Sequence, residues 1–342
     1  MIENEKNNET VGITTIGYYI PSGVMTSEAI AKLADIPLWV LTEKLGMEKK
    51  PIAAEDEHPS DMGIKAAISA IEKAQIQPEK IDLIVYCGGG DYDYRFWSPA
   101  AKIQAAIGAE NAHAFEVRNF CNGGNLGIHI CRNMLLANSS LNYALVVCSE
   151  KLSQLLNYSD KNISFMLTFS DGAAAALLKK GESSNKILSY YGMTDGRLAD
   201  FIRVPLGGTK LPVKGENIDL ELNYVKVEES EKLDKILSEI YLKNYKKVII
   251  TALQQSGFSL EKIDFLFSNQ IKKSVFLSLL ESLKLSEKNT FISMTESGHF
   301  GGADTLFCLA KTMELEKIKP GNLVVLASSA AGFSWGATVI KY

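Results

Sequence analysis

Two short segments of the chain place a residue with nucleophile or base chemistry two positions before a pair of glycines. They are Cys121-Asn-Gly-Gly124 and His299-Phe-Gly-Gly302. Each segment ends a stretch rich in turn-forming residues and opens a helical pattern. A similar half-chain offset separates two copies of Glu-Lys-Ile-Asp, at 79–82 and 261–264. This spacing indicates two related halves, in which Cys121 and His299 occupy equivalent positions and face a shared centre.

The paired segments predict thiolate chemistry. A cysteine at a helix N-terminus feels the partial positive charge of unpaired backbone N–H groups, which favours the thiolate. A nearby histidine can take the thiol proton or donate a hydrogen bond to a developing oxyanion. The alternative is that Cys121 is a buried, inert cysteine. The matched histidine segment favours the reactive site, and His299 is the histidine that the repeat places there.

The composition excludes several classes of protein. The 342 residues are 46% hydrophobic and 22% charged, with a formal net charge of −4 and no basic cluster interleaved with aromatics, so we expect no nucleic-acid partner. Five cysteines without metal-type spacing fit a reducing cytoplasm, and we expect no metal site. The N-terminus lacks the apolar core of a signal peptide, and residues 323–340 read as two buried strands around a turn, so we expect no membrane span.

Both halves alternate strand and helix patterns. Continuous apolar strands between helices indicate sheets that are covered on both faces. In the second half a short strand at Phe291–Met294 is predicted to lead to His299, as Ala114–Val117 leads to Cys121 in the first half. The segment 181–230 has no counterpart in spacing and is predicted to carry loops. We expect an N-terminal half at 1–180 with the nucleophile and a C-terminal half at 181–342.

Longer motifs resemble a known family. The most specific motif extends from Gly321-Asn-Leu-Val-Val-Leu to Gly332-Phe-Ser-Trp-Gly336-Ala. A further match is Phe169-Ser-Asp-Gly-Ala-Ala-Ala175. The pattern resembles the thiolase superfamily, and within it β-ketoacyl-acyl carrier protein synthase III and related ketosynthases. The resemblance implies an α/β protein with a five-layered αβαβα fold from two pseudo-twofold-related halves. It also implies a homodimer, with a heterodimer of related ketosynthase chains as the alternative.

The resemblance assigns roles to the site residues. Cys121 would accept an acyl group from a thioester, and the backbone N–H groups of Cys121 and Ala331 would form an oxyanion hole. Typical members carry a histidine in a His-Gln-Ala-Asn segment and an asparagine in a Gly-Asn-Thr segment. Here Asn269 stands at the histidine position and His299 at the asparagine position. The predicted catalytic set is therefore Cys121, His299 and Asn269, with the last two exchanged.

Other positions of the resemblance concern the substrate, which would be an acyl-coenzyme A or acyl-carrier thioester with no bound cofactor. Lys44 stands where typical members have a coenzyme-contacting arginine, and Lys272 and Lys273 lie beside the expected entrance. These lysines either contact the carrier or coenzyme A or form a solvated basic face. The residues expected around the acyl pocket are Phe96, Trp97 and Phe120.

Three functions follow from these residues. The first is a ketosynthase III-like acyltransferase that condenses an acyl-cysteine with a malonyl- or β-keto-type thioester in a decarboxylative Claisen reaction, in specialised metabolite biosynthesis. The second is acyl transfer to an oxygen or nitrogen nucleophile, with His299 as base. The third is a non-catalytic partner of another ketosynthase.

Overall fold

The computed structural model describes residues 10–214 and 219–342. The strands within these ranges are β1 (Val11–Tyr19), β2 (Gly23–Thr26), β3 (Lys49–Ile52), β4 (Leu83–Tyr86), β5 (His113–Glu116), β6 (Tyr143–Lys151), β7 (Asp171–Lys180), β8 (Lys186–Thr194), β9 (Ile202–Arg203), β10 (Lys226–Val227), β11 (Phe265–Ser268), β12 (Leu323–Ala330) and β13 (Ser334–Lys341). The α-helices are α1 (Ser27–Ala34), α2 (Pro59–Ala74), α3 (Pro99–Ile107), α4 (Gly123–Ala137), α5 (Ser230–Gln255), α6 (Lys273–Ser282), α7 (Met294–Ser297) and α8 (Asp304–Glu314).

The main sheet joins two half-sheets at a narrow seam. Its strand order is β11-β12-β13-β8-β1-β7-β6-β4-β5. The seam between β1 and β8 has a single paired position, Gly12 with Lys186, whereas β1 pairs with β7 from Val11 to Tyr19. One half-sheet therefore comes from the first half of the chain and the other from the second.

Three packed clusters show that the fold has five layers. Successive residues of β6 point to opposite faces, with Val146 in one cluster and Val147 in another, so both faces of the strand are buried. The central cluster contains residues of α4 and α8 together with strands of both half-sheets. A second cluster covers the outer face of the first half-sheet with α2 and α3, and a third covers the second half-sheet with α5 and α6. This αβαβα arrangement of two related halves confirms the predicted fold class.

Local sequence signals explain where the helices begin and end. Ser98 caps α3 by accepting a hydrogen bond from the Ala101 N–H, and Pro99 occupies the first helical position. Gly108 ends the helix in a left-handed conformation with φ of +75°. The helix therefore begins directly after its serine cap and ends directly before the glycine.

Two predictions about the second half were wrong. No strand forms at Phe291–Met294, because the Gln270 side chain takes up that backbone: it donates to the Phe291 carbonyl and accepts from the N–H groups of Ser293 and Met294. The segment 181–230 also carries more than loops. It contains β8, a central strand that pairs with β13 along most of its length. Its sequence mixes partly exposed polar and aromatic residues, which hides the strand pattern.

The first turn of α4 and the short 3₁₀ turn that leads into α8 meet backbone to backbone at the centre of the molecule. A Cβ atom added at Gly124 would lie 2.5 Å from the Gly302 carbonyl oxygen, and one at Gly302 would lie 3.3 Å from the Gly124 nitrogen. Only glycine permits this approach. The paired glycines of the two segments therefore serve to bring the two helix N-termini together.

We expect Gly124→Ala to destabilise the protein by about 3 kcal/mol or more, since the added methyl group meets a backbone atom that cannot rotate away. The midpoint of thermal unfolding should fall by about 4 °C or more in a chain of this length. Gly196→Ala is the matched control, because a Cβ atom there meets nothing within 4 Å. Equal unfolding midpoints for the two variants would contradict the close approach.

Candidate active site

The candidate nucleophile lies in a short 3₁₀ turn that leads into α4. Cys121 is the middle residue of the turn Phe120–Asn122, and α4 begins at Gly123. Its thiol is partly exposed, whereas the other four cysteines are buried. The unpaired N–H groups at the start of α4 stabilise anions nearby. The predicted alternative of a buried, inert Cys121 does not fit this placement.

Three of the remaining cysteines are poor nucleophiles. Burial raises the pKa of the Cys308 thiol to about 12, and it raises the pKa of Cys131 further. A hydrogen bond with Cys87 and burial together raise the pKa of Cys148 well above its usual value. Because the thiolate is the reactive form, we expect alkylating reagents to modify Cys121 first.

His299 contacts the thiol as the repeat predicted. Its Nε2 lies 3.2 Å from the Cys121 Sγ, and its side chain is fully buried. Two backbone hydrogen bonds fix the residue, because the His299 N–H donates to the Thr168 carbonyl at 2.8 Å and its carbonyl accepts from the Ser170 N–H at 2.9 Å. The imidazole is therefore held within hydrogen-bond reach of the sulfur.

Asp304 completes a triad that the sequence did not predict. Its Oδ2 lies 2.5 Å from His299 Nδ1, and its Oδ1 accepts from the Phe300 N–H at 2.9 Å. Burial disfavours the charged imidazolium, but the negative charge of Asp304, the Cys121 sulfur and hydrogen bonds to both outweigh it. The pKa of His299 is consequently raised well above its ordinary value. This arrangement favours a thiolate–imidazolium pair with a carboxylate behind it.

One feature of the sequence identifies Asp304 as a candidate site residue. His299 follows Cys121 by 178 positions, and the same offset relates Asp304 to Leu126. An apolar position in the first copy is thus a carboxylate in the second, at the buried start of a helix. An unpaired charge there would be costly, so the substitution implies a polar partner.

Asn269 shares a cavity with Cys121, but its amide is largely engaged. Its Oδ1 accepts from the Ser329 N–H at 3.1 Å and from the Tyr245 hydroxyl, and its Nδ2 donates to the Ser329 carbonyl at 2.9 Å. An amide nitrogen carries two hydrogens, so one N–H is left for a substrate. If Asn269 has the predicted catalytic role, it can offer a substrate only this one N–H.

Two cavities meet at Cys121. The smaller, of about 500 Å³, lies between the site and helices α5 and α6, and the larger, of about 1080 Å³, extends toward the loop at residues 88–98. Residues common to both walls are Cys121, Met166, Phe169, Ile202 and Ala331. Ala331 lies in the turn between β12 and β13, so its backbone borders the same space as Cys121. That the Ala331 N–H is the second donor of an oxyanion hole remains a prediction.

The residues predicted for the acyl pocket line the larger cavity. Phe96, Trp97 and Phe120 all border it. Phe120 and Phe96 have positive φ angles of +45° and +51°, an uncommon conformation for bulky residues. The Phe96 side chain is fully exposed.

The three predicted carrier-contact lysines lie on neighbouring elements. Lys272 lines the smaller cavity, and Lys273 begins α6. The stem of Lys273 packs against Gly46, which lies two residues after Lys44. Gly46 has a positive φ of +84°. Lys44 and Lys273 are exposed. Of the three, Lys272 borders the smaller cavity, and Lys273 follows it directly in the chain.

Two buried ionisable residues near the site were also not predicted. Lys50 donates to the carbonyls of Leu167 and Phe169, on either side of the residue that binds the His299 N–H, and burial lowers its pKa to about 7. Glu150 accepts from the N–H groups of Gly89 and Gly90 at 2.7 and 2.8 Å, and burial raises its pKa to about 7. Lys50 thus supports the His299 segment, and Glu150 anchors the loop that leads to Phe96.

No cluster of metal-ligating side chains occurs within residues 10–214 and 219–342. None of the helices in the same ranges is long and apolar enough to cross a membrane.

Comparison with known families connects this site to a defined group of proteins. Residues 115–196 match the family 3-oxoacyl-[acyl-carrier-protein (ACP)] synthase III, and residues 253–342 match its C-terminal family. The β-ketoacyl-[acyl-carrier-protein] synthase III of Caldanaerobacter subterraneus is 28% identical over 331 residues, which cover 97% of each chain. The protein of the same name from Clostridioides difficile is 28% identical and covers 98% of this chain and 99% of its own.

Solved structures share the fold. The 3-oxoacyl-[acyl-carrier-protein] synthase III of Aquifex aeolicus superposes with a TM-score of 0.83 at 24% identity, covering 97% of this chain and all of its own. A Xanthomonas campestris OleA variant with bound lauric acid and lauroyl-CoA gives 0.84 at 20% identity, covering 97% and 99%. Both family matches lie on the segments that carry Cys121 and His299. The chain belongs to the β-ketoacyl-acyl carrier protein synthase III-like ketosynthases of the thiolase superfamily, and it is a ketosynthase-type condensing enzyme.

Proposed function

We propose that this enzyme forms an acyl thioester on Cys121 from an acyl-coenzyme A or acyl-carrier donor. It then condenses the acyl group with a malonyl- or β-keto-type thioester in a decarboxylative Claisen reaction, within specialised metabolite biosynthesis. The observation that carries the proposal is the 3.2 Å contact between Cys121 Sγ and His299 Nε2 at the junction of two cavities. The thiol and the base therefore lie next to the space that a substrate can occupy.

The first half-reaction follows from the triad. His299 takes the Cys121 proton, and the thiolate attacks the carbonyl carbon of the donor thioester. The backbone N–H groups of Cys121 and Ala331 hold the oxyanion of the tetrahedral intermediate. The donor thiolate then leaves with the proton from His299, and Asp304 stabilises the imidazolium until that proton has gone.

The second half-reaction needs hydrogen-bond donors for the enolate that decarboxylation leaves on the acceptor. We infer that the exchange of histidine and asparagine preserves this function. The free N–H of Asn269 supplies one donor, and His299 supplies the other after a proton from solvent has replaced the one that left with the donor thiol. The acceptor oxygen would have to lie between the two side chains.

Charge and exposure support the proposed partners. Lys44, Lys272 and Lys273 present positive charge beside the smaller cavity, which suits an acidic carrier protein or the phosphates of coenzyme A. The exposed Phe96 side chain suits a second subunit, whose acyl cavity it would help to close. A homodimer is therefore proposed, and sedimentation velocity tests it.

Intact-mass spectrometry tests the proposed function. The protein is incubated with acyl-coenzyme A donors of several chain lengths and with the same groups on an acyl carrier protein. We expect one acyl adduct, absent from Cys121→Ala, and carbon dioxide release after malonyl thioester is added. The absence of an adduct from every donor, with a Cys121→Ala protein that behaves as the parent does, would favour a non-catalytic partner instead.

A second function is favoured by the Asp304–His299 contact. A histidine with a carboxylate behind it is a good general base, which suits acyl transfer to an oxygen or nitrogen nucleophile. This reaction needs no enolate and no decarboxylation. If the acyl-enzyme releases no carbon dioxide with malonyl thioester but discharges to an alcohol or amine, acyl transfer is the correct assignment.

A further inference from the structure

We propose that the hydroxyl groups of Tyr241 and Ser329 act as a pair that donates a hydrogen bond to the acceptor's thioester oxygen during condensation. The proposal rests on the proposed function and assigns residues that no family motif identified. Tyr241 lies on α5 and Ser329 on β12, so two elements from different layers build the pair. Both side chains line the smaller cavity together with Cys121 and Asn269.

A count of hydrogens shows that the contact between Tyr241 and Ser329 uses only one of their two O–H groups. The Tyr241 hydroxyl oxygen and the Ser329 Oγ are 2.6 Å apart, and either can donate to the other. The two groups carry two hydrogens, and their mutual hydrogen bond uses one. The Tyr245 hydroxyl is the other hydrogen-bonding neighbour of both groups, and it donates its own hydrogen to Asn269 Oδ1. The second O–H of the pair therefore has two acceptors within reach, the Tyr245 oxygen and a substrate oxygen in the cavity.

The pair is held in place before a substrate arrives. The Tyr241 ring packs edge-on against Tyr245 and Trp335, with centroid distances of 5.3 and 6.2 Å. The Ser329 backbone is fixed from both sides by the Asn269 amide. Burial raises the pKa of Tyr241, so its phenol keeps its proton and serves as a donor rather than a base. A donor fixed in this way loses little free energy to reorganisation during the reaction.

In the condensation step, this donor stabilises the enolate that forms on the acceptor. The bond between the acceptor's α-carbon and its carboxylate breaks, carbon dioxide leaves, and the electron pair forms an enolate. The enolate carbon attacks the acyl-Cys121 carbonyl, and the thiolate of Cys121 is released. Asn269 has one free N–H for the enolate oxygen, so the second O–H of the pair adds a donor from the same wall of the cavity. The hydroxyl hydrogen is shared and not transferred.

The test compares the two half-reactions in Tyr241→Phe, Ser329→Ala and the double variant. Each single variant keeps one hydroxyl but removes the partner that orients it, so we expect about a tenfold loss of malonyl-dependent turnover, and about a hundredfold loss in the double variant. Acylation of Cys121 should stay within about twofold of the parent, because the pair acts on the acceptor. Ser329→Thr keeps a hydroxyl and should retain condensation. Tyr143→Phe removes a tyrosine hydroxyl from the start of β6, outside both cavities, and serves as the control.

The outcomes separate the two proposals. Parent-like condensation in the double variant, with a parent that forms acyl-Cys121 and releases carbon dioxide, overturns the hydroxyl pair alone. Equal losses in acylation and condensation, or a loss that Ser329→Thr shares, show a structural role and also overturn it. A parent that forms no acyl-enzyme overturns the proposed function and the pair together.

Discussion

Replacing His299 by alanine is expected to slow acylation of Cys121 by about 10³-fold, which is the scale for loss of a positioned general base. The imidazole is the group that lies within 3.2 Å of the sulfur, so its removal leaves the thiol without a proton acceptor. The loss should appear both in acyl-adduct formation, followed by quenched-flow intact-mass spectrometry, and in the rate of alkylation by iodoacetamide at pH 7. Turnover with any acceptor should fall by at least as much.

The matched control is His129→Ala. His129 lies on α4, the helix that follows the nucleophile, but it stacks on Tyr190, with ring centroids 4.7 Å apart, and borders neither cavity. Alkylation of Cys121 in this variant should stay within about twofold of the parent. If His299→Ala alkylates as fast as the parent at pH 7, the thiolate does not depend on the imidazole and the proposed first half-reaction is wrong.

The sequence predicted the centre of the site because local rules determine it. A helix N-terminus fixes where the residue before it points, and the duplicated glycine pairs let the two N-termini approach. Spacing alone therefore brought Cys121 and His299 together, and the structure has them in contact. The exchange of histidine and asparagine positions comes from the family resemblance and stays a prediction.

The parts that the sequence did not predict depend on contacts between distant segments. The Tyr241–Ser329 hydrogen bond joins residues 88 positions apart, and Lys50 reaches carbonyls more than a hundred positions away. No periodicity encodes such pairs. The wrongly predicted strand at Phe291–Met294 failed for the same reason, because a side-chain amide from Gln270 satisfies that backbone in place of a neighbouring strand.

Asp304→Asn is expected to move the pH profile of Cys121 alkylation upward by about 1 to 3 pH units. In the parent, Asp304 raises the pKa of His299 and so favours the imidazolium that pairs with the thiolate. The single amide oxygen of the variant side chain can replace only one of the two carboxylate contacts. If it keeps the Phe300 N–H, its NH₂ group faces Nδ1 and forces the other ring nitrogen, Nε2, to carry the hydrogen toward the sulfur. Nε2 then cannot accept the thiol proton.

The same substitution should change stability in a defined pH window. A histidine with a raised pKa stabilises the folded state fully below its unfolded value of about 6.5, and this contribution is lost as the pH rises through the folded pKa. The difference in unfolding free energy between parent and Asp304→Asn should therefore be largest between about pH 5 and 6.5 and shrink above that range. Asp195→Asn, which removes a carboxylate paired with Arg197 away from both cavities, should leave the alkylation profile unchanged. Coincident alkylation profiles for Asp304→Asn and the parent would show that the carboxylate does not act through His299, and the site would then be a dyad of thiol and imidazole.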